Sequence, residues 1–317
     1  MTTTPAQTVA PRPKPKQRPG DRWFSATALG AAAMILVTLA AVAIFLIIQS
    51  IPGISATKAT ASILRSDFWD YVWPLAFGTI WAALLALLMA VPVSIAVALF
   101  ISHYAPRRLA QALGYIVDLL AAVPSVVFGL WGILVLAPAV LPVYAWLNAN
   151  VGWFPLFSGT VSGTGRTIFT AAIVLAVMVM PIITAICREI FLQTPVLHEE
   201  AALALGATRW EMVRMAVFPY GRSGIVSASM LGLGRALGET MAVAMVLSVA
   251  NIISIRLLTA ENPGTIPANI ALTFPEAYGT NINVLVATGL ILFIVTFIVN
   301  AVARWVVDRR KEFSGAN

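Results

Sequence analysis

Two charges stand where the surrounding sequence is almost wholly apolar: Arg235 and Glu239, inside the run 223–249. A charged side chain at the middle of a bilayer costs at least about 3 kcal/mol, so a span that keeps two of them must point them at protein or water. Four residues apart, they share one face of a helix and can pair. One reading is a self-neutralising pair that locks helix packing. The other is a cationic point on the route of an anion. Glu239 would then orient the guanidinium and limit its grip, because a permeating ion must leave as well as enter. Thr240, Ser227 and Ser229 can add hydroxyls to such a path, although hydroxyls in spans commonly bond their own helix backbone. Gly234 and Gly238 form a Gly-x-x-x-Gly pair, which lets a neighbouring helix pack backbone to backbone.

The elements that must hold these residues are membrane helices. Of 317 residues, 60% are hydrophobic and 10% charged, and the mean hydropathy is +0.90, values outside the soluble globular class. Crossing the hydrocarbon core takes about 20 apolar residues, and six runs qualify: 25–48, 73–101, 110–136 with one acid (Asp118), 167–186, 223–249 and 281–303. Six spans put both termini on one side. Fifteen of the 20 basic residues then share that side, while Lys58, Arg65, Arg166 and Arg256 fall on the other and Arg235 lies within a span. The positive-inside rule makes the shared side the cytoplasm.

The expected organisation follows. Residues 1–24 form a disordered basic tail, rich in Pro, Lys and Arg, 25–48 a first span, 72–308 a core of five spans, and 309–317 a short cytoplasmic tail. The tail's basic residues are expected to act simply as a topology signal, contact with anionic headgroups being the alternative. The net charge of +7 follows the membrane rule and does not point to nucleic acid. Prolines 92, 124 and 181 within spans predict kinks, and Asp118 can bond or pair with another helix.

Other chemistries are not expected. One cysteine, Cys187, forms no internal disulfide and no multi-cysteine metal site. The two histidines, His103 and His198, are distant in sequence, so no metal site is expected. No phosphate loop of the form Gly-x-x-x-x-Gly-Lys-[Ser/Thr] occurs, nor a Gly-x-Ser-x-Gly elbow or a His-Glu-x-x-His helix. The chain is expected to be no enzyme and to carry no cofactor.

Between two apolar runs lies a polar segment, 194–219. Thr194 can cap a helix with Pro195 at its first position. Gly206 suits the left-handed turn that stops it. Thr208 and Glu211 have capping-box spacing, and Pro219 is expected to end the second helix. The result is helix, glycine turn, helix, with small Ala201 and Ala202 open to close approach by another protein.

This segment resembles the EAA loop of ABC importer permeases: Glu-Ala-Ala, three residues, Gly, nine residues, Ile-x-Leu-Pro. Glu200, Ala201, Ala202, Gly206 and Pro219 match, while Ala216 and Phe218 replace the Ile and Leu. The run Gly232-Leu-Gly-Arg-Ala-Leu-Gly-Glu-Thr-Met-Ala-Val243 is similar to the fifth-span signature of phosphate-specific (Pst) permeases, C-type rather than A-type. The run from Asp118 through Pro124 and Ser125 to Gly132 resembles their third span. The resemblance implies an all-α, six-span, type I ABC importer permease fold with both termini cytoplasmic. It implies an ATPase-coupling role for Glu199, Glu200, Ala201, Ala202, Gly206, Ala207, Thr208 and Pro219, and a substrate-pathway role for Arg235, Glu239 and Thr240. The implied partners are a homologous A-type permease, two ATPase subunits that bind ATP and Mg, and an extracytoplasmic phosphate-binding protein. A permease for sulfate or molybdate is the alternative within the family, and a secondary transporter or channel the alternative class.

Overall fold

A bilayer offers no partner to a free backbone N–H or C=O, so long apolar runs close their hydrogen bonds internally as helices. The computed structural model describes residues 19–311. Residues 1–18, most of the expected basic tail, and 312–317 lie outside them, whereas 19–24 are already helical. The α-helices are α1 (Pro19–Ile54), α2 (Phe68–Leu99), α3 (Arg107–Ala121), α4 (Ser125–Trp131), α5 (Ala137–Val151), α6 (Ile168–Leu192), α7 (Val196–Ala204), α8 (Arg209–Met212), α9 (Phe218–Gly238), α10 (Met241–Val246), α11 (Ile266–Thr273) and α12 (Thr280–Lys311). No strand occurs among the described residues. Five helical segments are long and apolar enough to cross a membrane: Trp23–Ile54, Phe68–Tyr104, Ser125–Val151, Ile168–Leu192 and Thr280–Trp305.

The chain divides into two units, residues 1–48 and 49–317. In the first, α1 displays large apolar side chains such as Leu29, Ile35 and Phe45, as a lipid-solvated helix does. In the second, α2 and α6 lie side by side along most of their length and α9 packs on both. Small residues allow that approach: Ala82, Ala83, Ala86 and Ala90 on α2, and Ala171, Ala172 and Ala176 on α6, are all buried. Lipid is as apolar as leucine, so close contact and interhelical hydrogen bonds carry this association. One such bond joins Ser94 Oγ to the Met180 carbonyl at 3.2 Å.

Two expected spans are corrected. The third, 110–136, is not one helix: α3 ends at Ala121, and Pro124, at ψ 140°, marks the break before Ser125–Val151. Proline lacks the N–H that would continue α3 and pushes its predecessor out of the helical region. The fifth, 223–249, begins earlier as α9 and stops at Glu239, whose φ/ψ of −69°/128° is extended, before α10 resumes. With Arg222, Arg235 and that break, it is not among the five membrane-length segments.

Pro219 does not end the second helix of the hairpin. The path from α8 runs through a π turn, Val213–Val217, straight into α9. A proline ring clashes with the carbonyl four residues back, and the wider π turn relieves that clash. The other two π turns, Phe100–Tyr104 and Gly132–Leu136, also end two residues before a proline, Pro106 and Pro138.

Candidate functional site

The hairpin builds its own geometry. Gly206 takes φ +86°. The N–H of Gly206 reaches the Leu203 carbonyl at 3.0 Å and that of Ala207 the Ala202 carbonyl at 3.2 Å, the paired bonds of a Schellman stop. Two residues on, the capping box closes: the Thr208 N–H donates to Glu211 Oε2 at 2.7 Å, and the Glu211 N–H to Thr208 Oγ1 at 3.3 Å. The Thr208 N–H, and with it the Thr208 hydroxyl at 2.8 Å, donate to the Glu211 carboxylate and hold it below its ordinary pKa. Thr194 does not cap α7. The N-cap is Pro195, and the Thr194 hydroxyl is buried with no hydrogen bond among the described residues.

Outside the turn, the hairpin is an apolar surface on a polar frame. Leu197, Leu203, Leu205 and Trp210 are exposed, as are Glu200 and Ala201, while Ala202 is half-buried against the core. A polar side-chain contact also ties α7 to the spans: Glu199 Oε1 lies 3.3 Å from His103 Nε2, in the π turn that ends α2. Ser102 Oγ sits 2.7 Å from His103 Nδ1 and 3.3 Å from the Leu99 carbonyl. When Nδ1 accepts from the Ser102 hydroxyl, the ring hydrogen sits on Nε2, which can then donate to Glu199.

The charged residues of the fifth span are not paired. Glu239 lies beyond the end of α9, off the helical face that carries Arg235. Its buried Oε1 accepts the Ala242 N–H at 3.1 Å, in the first turn of α10. Arg235 occupies the last turn of α9, where the negative helix end favours a cation. It makes no ion pair among the described residues, and its Nε is buried without a hydrogen-bond partner. Thr240 Oγ1 donates to the Gly238 carbonyl at 3.2 Å. Gly234 and Gly238 meet no neighbour within this chain: a Cβ on either has nothing within 4 Å. The packed glycine is Gly232, where a Cβ would come within 2.7 Å of Ile183 Cδ1.

The break is braced by residues that sequence reasoning missed. Arg166 Nη2 donates to the carbonyls of Met245 at 3.1 Å and Leu247 at 3.4 Å, closing the end of α10. Asn262, fully buried, accepts the Ile168 N–H at 3.0 Å and donates to the Ser248 carbonyl at 3.0 Å and the Arg166 carbonyl at 3.4 Å. Arg166 carried a usable signal, being one of four bases on the side that the positive-inside rule leaves poor. Asn262 carried none.

A multi-pass helix bundle with a broken, charged helix and an exposed helix–turn–helix fits the class of membrane permeases. The chain belongs to the family described as "Binding-protein-dependent transport system inner membrane component", whose model matches residues 90–312; it is a multi-pass protein of the inner membrane. It is 46% identical to "Phosphate transport system permease protein PstC 2" of Mycobacterium tuberculosis, over 93% of this chain and 94% of that one. It is 40% identical to the PstC protein of Mesorhizobium japonicum, over 93% and 92%. Among solved structures, a chain of the MetNI methionine ABC transporter matches with TM-score 0.48 and 17% identity, covering 76% of this chain and 96% of that one.

Proposed function

We propose that this chain is the transmembrane permease subunit of an ATP-driven, binding-protein-dependent phosphate importer. The observation that carries the reading is an exposed, self-built hairpin in a chain 46% identical to a phosphate transport system permease over most of its length. In this reading both termini are cytoplasmic, and the 194–219 hairpin docks on an ATPase subunit. Leu197, Leu205 and Trp210 supply apolar contact, Glu199 and Glu200 charge, and Ala201 room. Gly206, Ala207 and Thr208 hold the elbow that presents them. Two ATPase copies bind ATP and Mg, so this chain needs no cofactor of its own. A homologous A-type permease completes the pathway, against the glycine face that Gly234 and Gly238 leave uncovered. An extracytoplasmic phosphate-binding protein delivers the anion.

Closure of the ATPases moves the hairpin, and two routes carry the motion inward. One is the unbroken helical path through Pro219 to α9. The other is the Glu199–His103 contact to α2. Arg235 offers the anion a transient positive charge, while Glu239 and Thr240 hold open the backbone beside it. Direction comes from ATP binding the two conformations unequally.

Reconstitution in vesicles tests the reading. ATP-dependent phosphate uptake that requires added ATPase, second permease and binding protein is the expected result. Gradient-driven uptake by this chain alone would overturn it. Uptake of sulfate or molybdate in place of phosphate would overturn the substrate.

A further inference from the structure

At the hairpin end of the bundle, α3 leans on the π turn Phe100–Tyr104 and the last turns of α6, leaving an open cleft of about 500 Å³. Its polar lining is Ser102, Arg107, Gln111, Tyr115, Asp118 and Arg188. Arg188 is held in place. Its guanidinium lies against Gly114, where a Cβ would overlap it, and Nη2 stands 3.7 Å from Asp118 Oδ2. That separation makes an ion pair but not a hydrogen bond. Among the described residues the guanidinium makes no hydrogen bond at all, although its side chain is only 20% exposed. Arg107 likewise has neither ion pair nor side-chain hydrogen bond among them. A guanidinium offers five donors in a planar fork matched to paired anionic oxygens. Here such a fork faces the cleft with its donors unused.

Charge and surroundings narrow the ligand. Two arginines and one aspartate leave a single net positive charge. A phosphodiester, with one negative charge, neutralises it. Free phosphate near neutral pH carries more charge than that, and the excess faces Asp118. The adjoining surface of α3 exposes Ile116, Leu119 and Leu120, an apolar bed for acyl chains beside a polar headgroup. Basic pockets at the cytoplasmic side of membrane helices suit anionic lipid in this way.

We propose that this cleft binds the phosphate group of an anionic membrane lipid, with Arg188 and Arg107 as its ligands. The inference rests on the membrane reading of the chain and not on what it transports, so a failure of phosphate uptake leaves it untouched. The test is native mass spectrometry of the full chain, purified with its partners, titrated with phosphatidylglycerol, phosphatidylcholine or inorganic phosphate. Phosphatidylglycerol should be retained at one tight site per chain and phosphatidylcholine should not. Arg107→Gln and Arg188→Gln should each weaken retention about fivefold, and Arg188→Lys, which keeps the charge but loses the fork, should fall between. Arg107 is exposed, so its variant reads the site even if Arg188 variants misassemble. Equal retention of both lipids, or of phosphatidylglycerol by Arg107→Gln, would overturn the site. Displacement of the lipid by inorganic phosphate would overturn the lipid as its ligand.

Discussion

The hairpin and the broken fifth span are both interruptions of membrane helix, yet they are made in opposite ways. The hairpin's turn uses partners within about five residues: Ala202 with Ala207, Leu203 with Gly206, Thr208 with Glu211. The break at Glu239 has a local cap through Ala242, but its frame comes from Arg166 and Asn262, both distant in sequence. On the proposed reading the hairpin meets its partner in water and must hold its shape before the partner arrives, so it carries its instructions locally. An element enclosed by helices can borrow its shape from them.

Four changes break or sharpen that contrast. The largest effect is expected from Arg235→Gln. Losing a charge-assisted contact to the anion costs about 1.5–3 kcal/mol, so reconstituted uptake should drop roughly tenfold or more while the subunits still copurify. If assembly fails equally, Arg235 serves packing. Next comes Asn262→Ala, which leaves the Ile168 N–H and the Ser248 carbonyl without their partner. Buried orphans of this kind cost about 1–3 kcal/mol each, so thermal unfolding in detergent should occur at lower temperature.

Gly206→Val forces a branched residue to φ +86°, a strain of about 1–2 kcal/mol. It should loosen the elbow and weaken ATPase copurification while leaving the unfolding of the spans unchanged. Smallest is Thr208→Ala, at about 1 kcal/mol for a lost cap, read as faster hydrogen exchange in the segment around 208–212. Glu211 adds an acid dependence. Because its folded pKa is lowered, its contribution is complete above the ordinary carboxylate value and fades as pH falls through the lowered one. Thr208→Ala removes the hydroxyl but keeps the backbone N–H on the carboxylate, so it should reduce that dependence without erasing it, and Glu211→Gln, which can still cap, should weaken the hairpin less.

What was legible in the sequence follows the same division. The glycine turn, the capping box and the exposed loop were readable because each rests on residues a few positions apart. The apolar runs announced a helical membrane protein because length and composition suffice for that. The break at Glu239 was not readable: Gly238-Glu239-Thr240 holds no proline, and Arg235 four residues earlier suggested an unbroken face. Its brace comes from Arg166, far upstream. The third span was misread because counting apolar residues overlooked that Pro124 separates two helices. Pro219 was taken as a stop because proline ends an ordinary helix. A π turn two residues ahead lets the chain pass, and the same spacing at Pro106 and Pro138 makes it a pattern.

That passage at Pro219 has a mechanical consequence. From Arg209 to Gly238 the chain forms one helical rod with no loop in it, 30 residues long by its numbering and so about 45 Å from end to end. Rigid rods amplify rotation: pivoting one of this length by about five degrees sweeps its far tip through about 4 Å. Arg235 rides near that tip, so a small rotation applied at Trp210 is enough to carry a guanidinium past the width of one oxygen.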